Sequence, residues 1–327
     1  MDGVLNVRKA SGPTSHDVVD EIRRIFAQRR VGHAGTLDPL ALGVLVVCLG
    51  KATRVVEYLM GLTKEYCARM ALGVSTDTQD STGAIIAERD ASGVTREAVE
   101  EAAAAFVGEI DQVPPMVSAV KHEGKRLYAL ARQGKTVARS PRKVTIYSIQ
   151  VTSFGPEANP KSQITNHKSA GLLVRCSSGT YIRTLCADIG ERLGCGAHMS
   201  ALERTGVGRF RVEESVSIED LETARQEGRL EDLVMSMDDA LADLPAVAIA
   251  AEDVSRAANG VTVPCSGVNA ESDRVRIHSP DGSLIGIGQV SRRQGLWCVK
   301  PDKVLMADPS PNTRHPTPNT QPPEGVP

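Results

Sequence analysis

Cysteine is sparse and unpaired in this sequence: seven residues, at positions 48, 67, 176, 186, 195, 265 and 298, are spread over 327. That is unlike the dense, even-numbered pattern of a secreted disulfide framework, so a reducing, cytoplasmic setting is expected. The nearest approach to a metal-ligand cluster, Cys186, Cys195 and His198, has no C-x-x-C pair and no clear fourth ligand. Buried thiols are the reading, and no metal is expected. Long apolar runs are missing too. The longest mainly apolar stretch, residues 39–49, falls far short of the ~18 residues that suggest a spanning helix, and the opening residues lack a signal-peptide core. Neither a membrane partner nor an export route is expected.

An excess of one charge sign is also absent. Lys and Arg number 38 against 40 Asp and Glu, leaving a formal net charge of −2, without the global basic signature of many nucleic-acid-binding proteins. At 24% charged and 41% hydrophobic residues, wholesale disorder is excluded. No G-x-x-x-x-G-K-[ST], no strand–G-x-G-x-x-G–helix unit, no H-E-x-x-H and no G-x-S-x-G occurs. Nucleotide-cofactor, metalloprotease and common serine-hydrolase chemistry therefore lose their usual support.

By a prior of roughly 150 residues per domain, the length allows one full domain and a smaller one. Val18, Ile22, Ile25 and Phe26 recur at helical spacing over residues 15–28. A loop over 31–43, a buried strand over 44–49 and a short helix over 52–60 follow. Further strands are expected at 66–72, 144–154 and 172–176, with a helix over 96–107 and polar loops at 76–83 and 155–170. Eleven acids between 213 and 243 face only Arg225 and Arg229, and Leu-Pro stands at 244–245, where the domain boundary is placed. The expected organisation is 1–243, then a β-rich module over 246–306. The tail 308–327 holds seven prolines and is expected to be disordered.

The most unusual segment is GHAGTLDPLALG, residues 32–43. Gly32, Gly35 and Gly43 permit backbone conformations and a close ligand approach that other residues block, and Pro39 biases Asp38 toward extended backbone. One carboxylate is thereby presented on a stiffened turn. By itself the segment leaves two readings open, Asp38 as a turn cap or as a chemical group, and His33 is equally a polar turn residue or a functional one. Farther along, Ile182, Leu185, Cys186, Ile189 and Leu193 share one helical face, which leaves Tyr181 at the helix start and turns Arg183 and Thr184 away from that face. Between 121 and 143 stand eight Lys/Arg and one acid, Glu123. This local basic field is either a solvated face or a hold on a polyanion.

Seven ordered blocks in the first 210 residues resemble the TruB family of tRNA pseudouridine synthases. They are GVLNVRKASGPTSHDVV (3–19), GHAGTLDPLALGVLVVCLGKATR (32–54), KEY (64–66), TDTQDSTG (76–83), PPMVSAVKHEGKRLYALARQG (114–134), SSGTYIRTL (177–185) and GAHMSALERTG (196–206). The resemblance implies an α+β pseudouridine-synthase domain around a mainly antiparallel sheet, followed by a small PUA-like β domain. It implies a monomer acting without cofactor on the T-arm stem–loop of tRNA, converting the T-loop uridine conventionally numbered 55 to pseudouridine. Asp38 matches the family's catalytic aspartate in G-T-L-D-P, Tyr66 the tyrosine that stacks on the target base, and Arg183 the arginine that pairs with that aspartate. Tyr181 matches a residue lining the same pocket, Leu202 an apolar pocket residue, His33 a histidine that positions the RNA loop, and Asp80 a supporting member of the polar loop. Three positions depart from the family pattern: Ala10 for a usual proline, Leu42 for a usual Thr or Ser, and Glu203 for a usual arginine.

These residue types suit the reaction. The N1–C1′ bond of uridine breaks, the uracil turns, and C5 joins the same sugar, with no redox carrier required. An ionised Asp38 either attacks C1′ or assists elimination from the sugar, and Arg183 beside it favours the charged form. The C5 proton then needs a base, either Tyr66 or the carboxylate; a phenol ordinarily titrates near ~10, so Tyr66 reads first as a stacking face. With ten aromatic residues in the whole chain, Tyr66 and Tyr181 are informative. The base must leave its stack to reach the carboxylate, and aromatic stacking offsets that cost. The basic stretch 121–143 would hold RNA phosphates. Two other readings compete: a synthase that takes its target from a guide RNA, and a non-catalytic tRNA-binding chaperone that keeps the pocket.

Overall fold

A computed structural model of the chain describes residues 1–118, 120–122, 124–131, 133–156, 168–268 and 270–306. The chain divides into two compact units, Met1–Asp243 and a second that begins at Leu244. The expected disordered tail and most of the polar 155–170 loop lie outside the described residues.

The first unit is built on a nine-stranded sheet. Its main path runs Gly3–Lys9, Leu42–Leu49, Ala197–Val207, Lys64–Leu72, Lys168–Cys176, Arg142–Pro156 and Gly108–Gln112. Every neighbouring pair is antiparallel except one: Ala197–Val207 runs parallel to Leu42–Leu49, pairing Glu203 with Leu42 and Arg204 with Gly43. The fold is α+β, as its mainly antiparallel sheet and flanking helices require. The run 44–49 is buried at every position, which is why it reads as continuously apolar rather than alternating.

Two cores cover the sheet. On one, Leu5, Val7, Leu45, Val47 and Leu49 meet Val18, Val19, Ile22 and Ile25 of the Ser15–Ile25 helix and Leu221 of the Ile218–Gln226 helix. On the other, the Ile182–Arg192 and Arg96–Ala104 helices bury Ile182, Leu185, Ile189 and Val99 against Met70, Leu72, Leu172 and Val174. The spacing of 15–28 overran the first helix by a turn. Thr14 and Asp17 form its capping box, and it stops at Phe26 because Ala27 takes a left-handed φ of 48° and Gln28 N–H returns to the Arg23 carbonyl.

Residues expected to be loop at 31–33 instead form the strand Val31–His33, paired antiparallel to Leu42–Leu49. Three residues carry too short a pattern to reveal a partner supplied by tertiary structure. The polar loop at 76–83 joins a hairpin of Val74–Thr76 and Ile85–Glu88. In the basic stretch the described elements are the strands Lys121–His122 and Lys125–Arg126 and the helix Leu127–Ala131. The side chains of Lys121, Lys125, Arg126 and Arg132 lie outside the description.

The second unit is a five-stranded sheet in the order Ala246–Ala248, Ser272–His278, Leu284–Arg293, Leu296–Val304 and Val263–Pro264. Its own core gathers Val247, Ile249, Val263, Val275, Ile277 and Val299 with Ala257 of the Val254–Ala258 helix. Among the described residues no helix is long and apolar enough to cross a membrane.

Candidate active site

The G-T-L-D-P turn is held from three directions. The Ser15 hydroxyl, at the start of its helix, donates to the Leu37 carbonyl at 3.0 Å and accepts from the Leu37 N–H at 2.8 Å. From the neighbouring strand, the buried Lys9 ammonium donates to the carbonyls of Ala10, Pro39 and Ala41. Burial lowers the Lys9 pKa to about 8. The third hold is Arg204, 1% exposed, whose guanidinium donates to the carbonyls of Val44 at 2.7 Å, Gly35 at 3.1 Å and Thr36 at 3.5 Å. Two of the loop glycines have the positive φ the turn demands, Gly35 at 113° and Gly43 at 98°. A Cβ on Gly43 would stand 2.3 Å from the Arg204 carbonyl oxygen, so the parallel strand pair closes only over glycine. Gly32 has no such constraint.

Asp38, at the tip of this turn, meets Arg183 in the first turn of the Ile182–Arg192 helix: Nη2 lies 2.9 Å from Oδ2 and 3.0 Å from Oδ1. The other arm, Nη1, reaches Asp80 Oδ2 at 3.2 Å. Nη2 also donates to the Val117 carbonyl at 2.8 Å. Asp80 is buried and fully engaged, its Oδ1 accepting from the Thr78 hydroxyl, the Thr82 N–H and the Thr82 hydroxyl. The turn that presents it puts Gln79 at a positive φ of 64°, a conformation a non-glycine side chain takes only where its surroundings impose it. There Gln79 accepts from the Thr184 hydroxyl at 2.8 Å.

A cavity of about 530 Å³ opens over this network. Asp38, Tyr66, Tyr181, Arg183 and Leu202 line it together, with Ser118 and Lys64 added from the 114–134 and 64–66 blocks, where neither was picked as a site residue. Tyr66 comes from the Lys64–Leu72 strand, beside Arg204 in register. Tyr181 precedes the helix and is clamped by Gln112, whose amide accepts from the Tyr181 N–H at 2.7 Å and donates to its carbonyl at 3.0 Å. Two expected site residues do not line the cavity. Asp80 sits behind Arg183, and His33 lies in the Val31–His33 strand, half-buried, with Nδ1 unpaired among the described residues.

Electrostatics separate the groups. Burial pushes the Asp38 carboxyl above the usual carboxylate range; Arg183 pulls it down, Asp80 pushes it up and Lys9 pulls it down, and burial prevails. Arg183 thus acts in the direction its position suggests without setting the net shift. Burial also raises the Tyr66 phenol, against the opposing Arg204 charge, which keeps it protonated at neutral pH. Burial lowers His33, with Arg204 adding to the effect. Burial likewise brings Lys64 down to about 8, where its ammonium donates to the carbonyls of Met60 and Leu62. Among the described residues no three His, Cys, Asp or Glu side chains gather as a metal site. Cys186 is buried in the main core, and His198 Nδ1 faces the Val74 carbonyl at 2.9 Å.

Comparison with known proteins decides the family. The model of the N-terminal domain of the TruB family pseudouridylate synthases matches residues 23–182, and that of the tRNA pseudouridylate synthase B C-terminal domain matches 183–242. The chain belongs to the TruB family of pseudouridine synthases. It is therefore an isomerase by family. A tRNA pseudouridine synthase B of Dehalococcoides mccartyi is 42% identical over 308 residues, 94% of this chain and 97% of the relative. One of Pelotomaculum thermopropionicum is 44% identical over 298 residues, 89% and 92% of the two chains. Among solved structures, the archaeal box H/ACA sRNP Nop10–Cbf5 complex is similar with a TM-score of 0.68 at 28% identity, covering 93% of this chain and 86% of that one. A Cbf5–Nop10–Gar1 complex gives 0.69 at 31%, covering 93% and 85%.

In this TruB-family chain, Arg204 and Lys9 fall inside the sequence blocks that resemble the family, yet nothing in spacing marks them as loop anchors. Gln112 lies outside every block and carried no signal. Glu203, the charge reversal, forms a surface pair with Arg8 at 3.7 Å, a contact of small energetic weight.

Proposed function

We propose that this chain converts the uridine at position 55 of the tRNA T-loop to pseudouridine, with Asp38 acting at C1′ of a nucleotide turned out into the 530 Å³ cavity. The observation that carries this reading is the inequality of the two carboxylates on Arg183. Asp38 keeps 34% of its side chain exposed, while Asp80 keeps 4%. Asp80 fixes the guanidinium from behind, and Arg183 in turn aims Asp38 into the cavity. The names of the relatives, all tRNA pseudouridine synthase B, supply the substrate class.

In this scheme the uracil stacks on Tyr66, with Tyr181 and Leu202 closing the pocket around it. The electron pair of the N1–C1′ bond leaves with the base, the base turns, and C5 bonds to C1′. The proton lost from C5 balances the one gained at N1. Attack of Asp38 on C1′ and carboxylate-assisted elimination both satisfy this arrangement. The C5 proton passes to a base in the pocket, either the Asp38 carboxylate or the Tyr66 phenol. The isomerisation is redox-neutral and asks for no carrier. The β-rich unit from Leu244 serves in this reading as a PUA-like RNA-binding module, and the enzyme works as a cytoplasmic monomer.

The test is pseudouridine formation on an unmodified T-arm stem–loop, with no cofactor, guide RNA or partner protein added. Turnover by the wild type and none by Asp38→Asn supports the reading. The solved complexes above keep the guide-dependent alternative in play; it predicts no turnover on the free stem–loop. Binding without turnover under every condition would leave a tRNA-binding chaperone.

A further inference from the structure

A second hollow, about 740 Å³, lies in the same Met1–Asp243 unit and adjoins the cavity that holds Asp38: Gly61 and Lys64 border both. Three guanidiniums surround it, Arg175, Arg209 and Arg211, together with the carboxylates of Glu65 and Asp243. Counting Lys64, the rim carries four cations and two anions, a local excess of positive charge in a chain whose total is −2.

The three arginines are exposed and positioned, but not neutralised. Among the described residues none of them has a carboxylate within salt-bridge distance. Arg209 donates Nη1 to the Asp239 carbonyl, and Arg211 donates Nη1 to the carbonyls of Gly208 and Phe210. Arg175 lies over the Tyr147 ring at 5.9 Å. Carbonyl bonds and ring stacking hold a guanidinium in place without cancelling its charge, which lowers the entropy cost of binding an anion. Of the two acids, Glu65 already accepts a hydrogen bond from the Thr205 hydroxyl at 3.1 Å.

Connection to the cavity selects the anion. Lys64 and Tyr66 share one face of their strand, while Glu65 between them, paired with Arg175, turns to the other face, so the two hollows meet at the strand end, where Gly61 and Lys64 border both. An RNA strand that leaves the Asp38 cavity at this end would turn past Lys64 and Gly61, around the strand end, into the hollow. A polymer that carries one negative charge per nucleotide meets three fixed guanidiniums on that path.

We propose that the hollow lined by Arg175, Arg209 and Arg211 is an RNA-backbone channel that holds the phosphates next to the target nucleotide. This inference rests on the reading of the Asp38 cavity as the place of the flipped uridine. It shifts part of the phosphate contact away from the basic stretch 121–143 to cations that are scattered in the sequence and gathered by the fold.

The experiment compares wild type, the triple variant Arg175→Gln/Arg209→Gln/Arg211→Gln, and the triple Arg→Lys variant at the same positions. Affinity for the unmodified T-arm stem–loop is measured across a salt series, with thermal unfolding as the check on folding. Each lost phosphate contact lowers the slope of log K against log salt by about 0.7 to 0.9. The Gln variant is expected to lose about 2 in slope, with the catalytic deficit falling on KM rather than kcat, while the Lys variant keeps most of the slope. An unchanged slope and KM in a folded Gln variant overturns the channel, as does an equal loss in the Lys variant, which marks the arginines as structural. The binding slope needs no turnover, so it stays readable even if Asp38→Asn proves active and the reading of the cavity falls.

Discussion

Asp38 and Asp80 bond to opposite arms of one guanidinium, at 2.9 and 3.2 Å, yet the first is partly open and the second is sealed. A single buried arginine therefore joins a carboxylate that can meet a ligand to one that can only hold the arginine still. Such a charge network survives burial because every anion in it is paired.

Asp38 gives opposite pH trends for stability and activity. Its pKa is raised in the fold from the ordinary 3.8, so the unfolded chain releases the proton first, and between the two values the native state binds more protons than the unfolded one. Stability relative to Asp38→Asn is then expected to fall as pH rises from 3.8 through the raised value and to level off beyond it. Over the same window kcat/KM should climb, because the proposed reaction uses Asp38 in its ionised form. Paired pH series of urea unfolding and of turnover check this; a stability difference that grows in the other direction refutes the assignment.

Arg183→Lys keeps the charge and loses the planar fork that spans Asp38, Asp80 and the Val117 carbonyl. A point charge cannot serve all three, so Asp38 loses its aim. Turnover is expected to fall about 100-fold while affinity for the stem–loop is retained. Single-turnover kinetics beside a binding titration measure the two separately, and unchanged turnover would remove Arg183 from its positioning role.

Gly43→Ala should be poorly tolerated for a reason unrelated to chemistry. The new Cβ would meet the Arg204 backbone, with its oxygen at 2.3 Å, and the φ of 98° is unfavourable to any L side chain. The overpacking and backbone terms together predict a loss of about 3 kcal/mol. Urea denaturation tests it, and a change below about 1 kcal/mol would mean that the parallel strand pair can spread.

Gln112→Ala removes both bonds of the clamp on Tyr181 and leaves the Tyr181 N–H without its partner. A cost of about 2 kcal/mol in unfolding free energy is expected, with a several-fold rise in KM as the ring loses its fixed base. A variant that loses stability with KM unchanged would show that the clamp supports the fold alone.

Much of the site was legible in the sequence because its chemistry sits in short, compositionally odd segments. The glycine-bounded G-T-L-D-P turn announces a presented carboxylate, and the apolar face of residues 182–193 announces that Arg183 looks elsewhere. The continuous apolar run 44–49 and the acid-rich stretch before Leu244 likewise mark a buried strand and the end of a unit by composition. Other features had no local trace. Arg204 reads as one more charged residue on a strand, although it is 1% exposed and anchors the turn. Gln112 acts across 69 residues. The strand Val31–His33 is defined by its partner, not by its own three residues.

By itself, then, the sequence determined which side chains could do chemistry, since residue type and backbone freedom are local properties. Only the tertiary structure decided which carboxylate faces the cavity, which way the Asp38 pKa moves, and that Arg175, Arg209 and Arg211 ring one hollow. Those outcomes depend on burial and on distances between segments far apart in the chain, and both are properties of the packed molecule.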